Sequence, residues 1–374
     1  MKRIYQNYIN EFIHKKIILI SGPRQSGKTT LSKMGHKNFV YLNYDNEDDR
    51  KTIKEMSWDK KIKLIIFDEL HKKTKWKQWL KGIYDKNDFQ NNFIVTGSAR
   101  LDTFKKVGDS LAGRYFHYRL HPLDVREICN IDKNILADDA IETILNYSGF
   151  PEPYLANNKR FYNLWKKTHL DIILRQDLIA LEDVRDLKSI ELLIDLLKER
   201  VGSPISYSNL ARDLQVSDKT VKHWLQILEN IYVIFKLTPF SKNIARSNLK
   251  QPKYYFYDIA RVTASDGAKF ENLIACSLLK EVQFRSDCLG EDWELAYLSK
   301  KGGLEIDFAI TFENKLKYAI EVKLSDANMA KNFLPFISEL KDVEKIQLVK
   351  NLKVEKMYPN GVEIRKASKW LCSW

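Results

Sequence analysis

An apolar run at residues 18–21 leads directly into the spacing G-x-x-x-x-G-K-T. Gly22 and Gly27 allow the backbone to turn its N–H groups toward one anionic centre. Lys28 can then reach the β- and γ-phosphates, and the hydroxyl of Thr29 can ligate Mg²⁺. A helix that begins at Lys28 adds the positive end of its dipole. The spacing therefore predicts a loop that binds the phosphates of a nucleoside triphosphate.

A second apolar run, Leu64–Phe67, ends in the acids Asp68 and Glu69. Asp68 would hold Mg²⁺ through water, and Glu69 would orient and deprotonate the attacking water. Taken alone, the run better fits a buried strand that ends in two solvated acids, but its combination with the phosphate loop favours catalysis. Thr96–Ser98 close another apolar run, where Ser98 either senses the γ-phosphate or belongs to a simple turn.

The residues expected to contact the nucleotide come from the loop, the following helix and two neighbouring strands: Gly22, Pro23, Arg24, Gln25, Ser26, Gly27, Lys28, Thr29, Thr30, Asp68 and Ser98. Thr29 and Asp68 are the expected ligands of Mg²⁺, and Glu69 is the expected catalytic base.

A second group of acids lies near the carboxyl end of the chain. Two apolar strands flank Glu313–Lys315, which we predict to be a three-residue hairpin loop. A hairpin that pivots on the middle residue places Asp307 opposite Glu321, with Cβ atoms about 5 Å apart, so both could ligate one divalent metal. Lys323 lies on the same face and could stabilise charge on a phosphate. A register shift of one residue would destroy this arrangement.

Glu271 is the expected fourth member of this second site. It lies on the flank of an apolar helical face formed by Phe270, Leu273, Ile274, Ser277 and Leu278. By themselves, the two strands are also typical of an edge hairpin with alternating charges. Their occurrence in one chain with a nucleotide loop favours the catalytic interpretation.

Length and charge limit the class of protein. The 374 residues suggest two to three domains. The 62 Lys and Arg against 49 Asp and Glu give a net charge of +13, which favours a polyanionic partner such as nucleic acid. Four cysteines without C-x-x-C spacing predict a reducing cytoplasm. The amino terminus lacks a signal-peptide core and no apolar run approaches membrane-spanning length, so we expect a soluble cytoplasmic protein without a membrane partner.

Strand and helix patterns divide the chain. Apolar runs at 17–21, 39–44, 63–68, 93–96 and 115–120 alternate with helical patterns at 28–35, 47–55, 75–84 and 101–111, which predicts a parallel α/β sheet. We place the domain limits at 1–125, 126–200, 201–248 and 249–374.

Residues 205–235 predict a helix-turn-helix followed by a strand that suggests a wing. Ser217 suits the N-cap of the second helix. That helix turns its apolar side chains inward and carries on its other face Lys219, Thr220, Lys222, His223 and Gln226. This polar face either enters a DNA groove or serves protein contacts, and the pattern leaves both open.

Together these motifs resemble a prokaryotic AAA-like P-loop ATPase family with a C-terminal PD-(D/E)xK nuclease-like domain. The ATPase part of the resemblance lies in these segments: Gly22–Thr29, Phe67–Glu69, Thr96–Ser98, Ser110–Arg114, Pro122–Leu123 and Gly149–Pro151. The nuclease-like part lies in Glu271, Asp307 and Glu321–Lys323. The resemblance implies an α/β fold with an N-terminal P-loop parallel sheet, a helical connector with a winged helix, and a C-terminal mixed α/β domain like that of restriction endonucleases.

The resemblance also implies ATP as the nucleotide and an arginine that completes the ATPase site. Arg114 is the first candidate and Arg100 the second, and a structural pairing of Arg114 with an acid fits equally well. An arginine supplied in trans requires a homo-oligomer. At the second site, the resemblance implies that Asp307 and Glu321 bind Mg²⁺ or Mn²⁺ and that Lys323 assists phosphodiester hydrolysis.

We therefore expect an ATP-hydrolysing protein that processes DNA, in which the ATPase gates or positions a metal-dependent nuclease-like domain. The alternative is an ATP-dependent switch whose C-terminal domain binds nucleic acid or a partner without cleaving it.

Overall fold

The structure, a computed structural model, describes residues 3–59, 61–86, 91–98, 111–178, 186–241, 251–326 and 328–374. The chain divides into two units that interleave along the sequence. The first comprises Met1–Pro122, His169–Asp183 and Asn230–Tyr232, and the second comprises Leu123–Thr168, Val184–Glu229 and Val233–Trp374. The four domain limits drawn from the sequence stay predictions. Within the described residues, no helix has the length and apolar character needed to cross a membrane.

The first unit contains a five-stranded parallel sheet, as predicted. Its strands are β1 Ile17–Ser21, β2 Phe39–Asn43, β3 Leu64–Asp68, β4 Asn92–Gly97 and β5 Tyr115–Arg119. They lie in the order β2-β3-β4-β1-β5, so that β4 lies beside β1 as expected. β1 and β3 are buried along their whole length, as in parallel sheets that are covered on both faces.

The helices in the same part of the chain as these strands are α1 Gln6–Phe12, α2 Lys28–Lys33, α3 Glu47–Glu55 and α4 Trp76–Lys86. A 3₁₀ turn occupies Leu70–Lys72. Three of them match predicted helices closely. The helix predicted at 101–111 falls, except for its last residue, outside the described part of the chain. Apolar side chains from β1, β3, β4 and α4 form the core on one face of the sheet.

The helices that follow are α5 Val125–Ile131, α6 Ala137–Tyr147, α7 Pro151–Ala156, α8 Lys159–Ile172, α9 Leu187–Lys198, α10 Tyr207–Leu214, α11 Asp218–Asn230, α12 Asp266–Phe284 and α13 Ala367–Ser373. Short 3₁₀ segments occupy Ile259–Arg261 and Lys331–Glu339, and π-helical segments occupy Ile173–Leu178 and Arg285–Leu289. The apolar residues predicted to share one face of α12 are all buried.

Helices α10 and α11 have the predicted helix-turn-helix pattern. The hydroxyl of Ser217 accepts the N–H of Thr220 at 3.1 Å, which confirms it as the cap of α11. Val221, Trp224, Leu225 and Leu228 are buried, and most of the polar face is exposed. Strands β6 Ile234–Leu237 and β7 Lys253–Phe256 then form an antiparallel pair.

The second unit also contains a six-stranded mixed sheet. Its strands are β8 Trp293–Ser299, β9 Glu305–Phe312, β10 Lys315–Lys323, β11 Glu344–Val349, β12 Lys356–Met357 and β13 Val362–Lys366. The order is β12-β13-β11-β10-β9-β8, and β10, β11 and β13 run parallel.

The hairpin between β9 and β10 corrects one prediction. The loop is a two-residue turn, not a three-residue one, because Glu313 and Asn314 both take positive φ, at 50° and 61°. A bulge between Leu316 and Tyr318 then inserts one extra residue into β10. The turn and the bulge together shift the register as a three-residue loop would. Ile320 pairs with Phe308, so the next residue of β10, Glu321, lies opposite Asp307 as predicted.

Candidate functional site

The phosphate loop follows β1 and is shaped by its glycines. Gly22 has a φ of 149°, and a Cβ added there would lie 2.2 Å from the carbonyl oxygen of Leu120. Gly27, in the left-handed region at φ 97°, directly precedes α2. The backbone therefore curls as the motif predicts, and no larger residue fits at Gly22 without displacement.

Lys28 lies inside this curl. It is 6% exposed, and its ammonium donates to the carbonyls of Gly22 at 3.0 Å and Pro23 at 2.7 Å. Among the other predicted contacts, Ser26 is buried while Gln25 and Thr30 are exposed. The buried positive charge is thus surrounded by the loop that should enclose the phosphates.

Arg3 supports the loop from outside the motif. Its guanidinium donates to the carbonyl of Ser26 at 2.9 Å and to that of His121 at 2.7 Å, and the side chain is buried. Sequence analysis missed Arg3 because these partners lie 23 and 118 residues away in the chain.

Ser21, the last residue of β1, is held by two further side chains of the first unit. Its hydroxyl lies 2.7 Å from Nε2 of His117 on β5 and 2.8 Å from the hydroxyl of Tyr232. Tyr232 is itself in the left-handed region, with φ 59°. The residue before the phosphate loop, Ser21, is therefore bonded to Tyr232, which lies 211 residues later in the chain.

Asp68, at the end of β3, lies at the centre of a hydrogen-bond network. Its carboxylate accepts from the hydroxyl of Thr29 at 2.9 Å, from that of Tyr41 at 2.6 Å and from that of Thr96. Burial by itself would raise the pKa of Asp68, but these hydroxyls lower it below its ordinary value. The carboxylate is thus kept charged beside the Thr29 hydroxyl, and these two hard oxygen ligands fit Mg²⁺.

Tyr41 was not predicted, and Thr96 was predicted only as part of the Thr96–Ser98 motif and not as a partner of Asp68. Burial, together with the bond to Asp68, raises the pKa of Tyr41, so its phenol stays a proton donor. Both residues come from strands that flank β3 in the sheet.

Glu69 follows directly, with φ 54° and a buried side chain. Its Oε2 accepts from the hydroxyl of Ser98 at 3.3 Å and lies 3.6 Å from Nε2 of His71 and 3.8 Å from Nζ of Lys72. Burial lowers the pKa of His71 despite the nearby Glu69, so the imidazole is mainly neutral at pH 7. The predicted base and the predicted sensor therefore touch each other, and His71 and Lys72 join them.

Arg114 does not join the phosphate loop of its own chain. Arg114 directly precedes β5, and its carbonyl accepts the N–H of Ile17, the first residue of β1. The phosphate loop begins at the opposite end of β1, after its five residues. That separation is about 17 Å along a strand. The guanidinium instead pairs with Asp85 at 2.7 Å. This is the structural pairing with an acid that the sequence left open, and a role of Arg114 in catalysis, in cis or in trans, stays a prediction. Arg100 lies outside the described residues.

The second predicted site gathers in the second unit. Asp307 accepts the backbone N–H of Val322 at 2.8 Å, which fixes β9 against β10 at this point. Glu321 is fully buried, and its Oε1 accepts from Lys323 at 2.7 Å and from Asn332 at 2.8 Å. Its Oε2 is buried without a hydrogen-bond donor.

Glu271 reaches the same cluster from α12. Its Oε1 accepts from the hydroxyl of Tyr255 at 2.7 Å. Its carboxylate also packs on Gly202, where an added Cβ would lie 2.7 Å from Oε2. The predicted acids and Lys323 are therefore neighbours in the structure.

Lys253 is the residue that sequence analysis missed here. Its side chain is 0% exposed, and its ammonium lies 3.0 Å from Glu305, 3.9 Å from Glu271 and 4.0 Å from Asp307. Lys253 begins β7, far from the acids in sequence, and no spacing rule connects it to them.

Two of the acids have strongly shifted pKa values. Burial and then the charge of Asp307 raise the pKa of Glu271 to about 8. The same two causes raise the pKa of Glu321 to about 7. Both carboxyls therefore carry a proton for a large part of the time near neutral pH.

The predicted metal does not fit this second cluster as it stands. Across the described residues, no three His, Cys, Asp or Glu side chains are placed to hold a metal ion. One oxygen of Asp307 and one of Glu321 accept protein donors, and the ammonium of Lys253 lies 4.0 Å from the other oxygen of Asp307.

Comparison with known families supports the first site. Residues 14–129 match the family described as an AAA domain, which supports an AAA-like P-loop ATPase domain in this part of the chain. Residues 138–271 and 266–365 match two families described as domains of unknown function, DUF8612 and DUF4143. Neither of these two descriptions names an activity.

Similar proteins cover much of the chain. An uncharacterized protein of Methanocaldococcus jannaschii is 25% identical and covers 94% of this chain and 85% of its own length. An uncharacterized protein of Mycobacterium tuberculosis is 26% identical and covers 65% of this chain and 54% of its own. Among solved structures, a Signal Transduction ATPase with Numerous Domains from Pyrococcus horikoshii is 14% identical, with a TM-score of 0.25, over 78% of this chain and 48% of that one.

Proposed function

We propose that the chain hydrolyses ATP at the phosphate loop of the first unit and that this cycle controls a site in the second unit that acts on DNA. The ATPase part is carried by one observation: the carboxylate of Asp68 lies 2.9 Å from the hydroxyl of Thr29. This pair of hard ligands beside the buried Lys28 suits a magnesium-bound triphosphate. The match to the AAA domain family supports the same assignment.

The residues of the loop divide the chemistry among them. Lys28 would balance the charge of the β- and γ-phosphates, and Thr29 and Asp68 would hold Mg²⁺, which supplies charge neutralisation when bound. Glu69 would orient a water molecule and accept its proton. Ser98, bonded to Glu69 at 3.3 Å, would link the γ-phosphate to this base.

Steady-state ATP hydrolysis tests these roles. We expect Glu69→Gln to lower kcat by about 10²- to 10⁴-fold with little loss of ATP binding, because only the proton acceptor is removed. Lys28→Ala should weaken binding and lower kcat by at least about 10²-fold. The exposed Lys54→Ala and Glu55→Gln on α3 serve as matched controls. ATP hydrolysis at the wild-type rate in both Glu69→Gln and Lys28→Ala would contradict the assignment of the ATPase site.

The finer part of the proposal concerns DNA. It is supported by the contacts that gather Glu271, Asp307, Glu321 and Lys323, residues that resemble the acids and lysine of a PD-(D/E)xK site. The net charge of +13 favours a polyanionic substrate. In this version, ATP binding gates or positions a nuclease-like site that acts on DNA phosphodiesters.

A second candidate function is a switch that binds DNA, or another partner, without cleaving it. It is favoured by the observation that the acids of the second cluster are engaged by the chain's own lysines and hydrogen-bond donors.

Incubation with linear, circular and single-stranded DNA, with Mg²⁺ or Mn²⁺ and with or without ATP, separates the two candidates. Cleavage that is lost in Asp307→Asn but kept in the exposed Asp342→Asn supports the nuclease. Salt-sensitive DNA binding without cleavage supports the switch. Cleavage that is identical in wild type and Lys28→Ala, with or without ATP, would contradict control by ATP.

A further inference from the structure

The ammonium of Lys253 is placed where several acidic side chains meet. It lies 3.0 Å from Oε1 of Glu305, 3.9 Å from Oε1 of Glu271 and 4.0 Å from Oδ1 of Asp307. The ring of Tyr297 covers it at 5.1 Å from the ring centroid. Two of these acids are the ones that the sequence analysis assigned to catalysis.

Burial excludes a role in contact with a substrate. The Lys253 side chain is 0% exposed, so its ammonium can reach neither a phosphate nor bulk water without rearrangement. A charge buried this deeply is retained in folded proteins only when opposite charges surround it. The ionised fraction of these acids therefore stabilises Lys253, and Lys253 in turn offsets part of their negative charge.

Neutralisation of clustered carboxylates is also the role that a divalent ion has in a metal-dependent site. Metal ligation needs oxygens at 2.0–2.6 Å, roughly, around a single centre. Within the described part of the chain, no such group of ligands is formed. A second cation at this place would be repelled by the ammonium and would compete with it for the same oxygens.

We propose that Lys253 is the internal counter-ion of this carboxylate cluster and replaces the divalent metal there. The second unit accordingly binds no Mg²⁺ or Mn²⁺ that depends on Asp307. This inference deepens the second candidate function, the non-cleaving switch, and does not depend on ATP hydrolysis in the first unit.

Binding of Mn²⁺ to the nucleotide-free full chain, followed by electron paramagnetic resonance, is the test. We expect wild type and the control Lys236→Met, on the strand paired with β7, to bind no Mn²⁺ that depends on Asp307. Lys253→Met should gain a Mn²⁺ site whose affinity is at least about tenfold higher than any Mn²⁺ affinity of wild type. Adding Asp307→Asn to Lys253→Met should remove this site. The tenfold gain corresponds to the loss of one competing charge at close range.

A double variant, Lys253→Met with Glu305→Gln, removes one charge of each sign and preserves the net balance if the single variant does not fold. Folding is checked by circular dichroism. Wild-type binding of Mn²⁺ that disappears in Asp307→Asn would overturn the proposal by itself, and so would folded Lys253 variants that gain no site. ATPase activity, measured on the same samples, reports the first unit separately, so failure of this inference and failure of the ATPase assignment are distinguishable.

Discussion

At the scale of single residues, the two sites differ in how their charges are balanced. Lys28 donates to two backbone carbonyl groups of the predicted phosphate loop. Lys253 is surrounded by acids, and its charge is already compensated. Two buried lysines in one chain therefore lie in different surroundings, one among backbone carbonyls and one among carboxylates.

The close approach of Gly22 to Leu120 gives a prediction about the phosphate loop. Gly22→Ala should lower the free energy of unfolding by about 1–3 kcal/mol and weaken ATP binding, because its Cβ would lie 2.2 Å from a carbonyl oxygen. Gly82→Ala, in α4, meets no atom within 4 Å and should stabilise the helix by about 0.5–1 kcal/mol. Urea unfolding and nucleotide titration measure both. Equal effects of the two substitutions would contradict the argument.

The raised pKa of Glu321 gives a prediction about pH. The folded state keeps this proton up to a pKa of about 7, whereas the unfolded state releases it near 4.5. The folded state binds more protons between these values, so the contribution of Glu321 to stability falls as pH rises through them. Glu321→Gln cannot ionise. Relative to wild type, it should therefore gain about 1–3 kcal/mol of unfolding free energy between pH 5 and pH 8.

Chemical unfolding at the two pH values measures this gain, with the exposed Glu294→Gln on β8 as control. A stability difference between Glu321→Gln and wild type that stays constant with pH would rule out the shifted titration.

At the scale of elements, the β9–β10 hairpin shows why a pairing can be predicted when its turn is not. The two-residue turn puts Lys315 opposite Phe312, and the bulge at Lys317 then moves every later residue of β10 by one position. Without the bulge, Ile320 and not Glu321 would face Asp307. The acid pair therefore depends on one exposed extra residue.

Changes in length at the bulge test this dependence. Deletion of Lys317 should be tolerated, because it removes the bulge and leaves Glu321 opposite Asp307. Insertion of one alanine after Lys317 should cost at least about 2 kcal/mol, because buried side chains of β10 would exchange faces. Thermal melting of both variants measures the difference. A deletion as damaging as the insertion would show that the bulge has another role.

Sequence was sufficient where neighbouring residues determine structure. The phosphate loop, the Ser217 cap and the buried face of α12 depend on residues within a few positions of one another. Arg3, Tyr41 and Lys253 could not be found in this way, because each acts on partners that the topology brings together. The pairing of Arg114 with Asp85 likewise depends on the topology, because Asp85 lies in α4 and Arg114 precedes β5.

At the scale of the whole molecule, the positive net charge predicts DNA binding that weakens with salt. If α11 carries the phosphate contacts, Lys219→Ala with Lys222→Ala should reduce the slope of log affinity against log salt by about 2, roughly one for each lysine. The exposed pair Lys54→Ala and Lys61→Ala in the first unit serves as control, since it removes the same charge elsewhere. Fluorescence anisotropy with labelled duplex DNA, at salt concentrations from about 50 to about 200 mM, measures the slope.

An unchanged slope in the α11 variant, with DNA affinity retained, would assign this face to protein contacts. ATP hydrolysis by the same variant should equal that of wild type, because neither lysine belongs to the nucleotide motif.

The bond between Ser21 and Tyr232 has a consequence for how this protein can be divided. Asn230–Tyr232 belong to the first unit although the residues on both sides belong to the second. A fragment ending near residue 125 would contain the whole nucleotide motif, yet it would lack the hydroxyl that holds the residue before Gly22. A gene fusion or a domain exchange that transfers the nucleotide motif should therefore also carry Tyr232, which holds Ser21 in place.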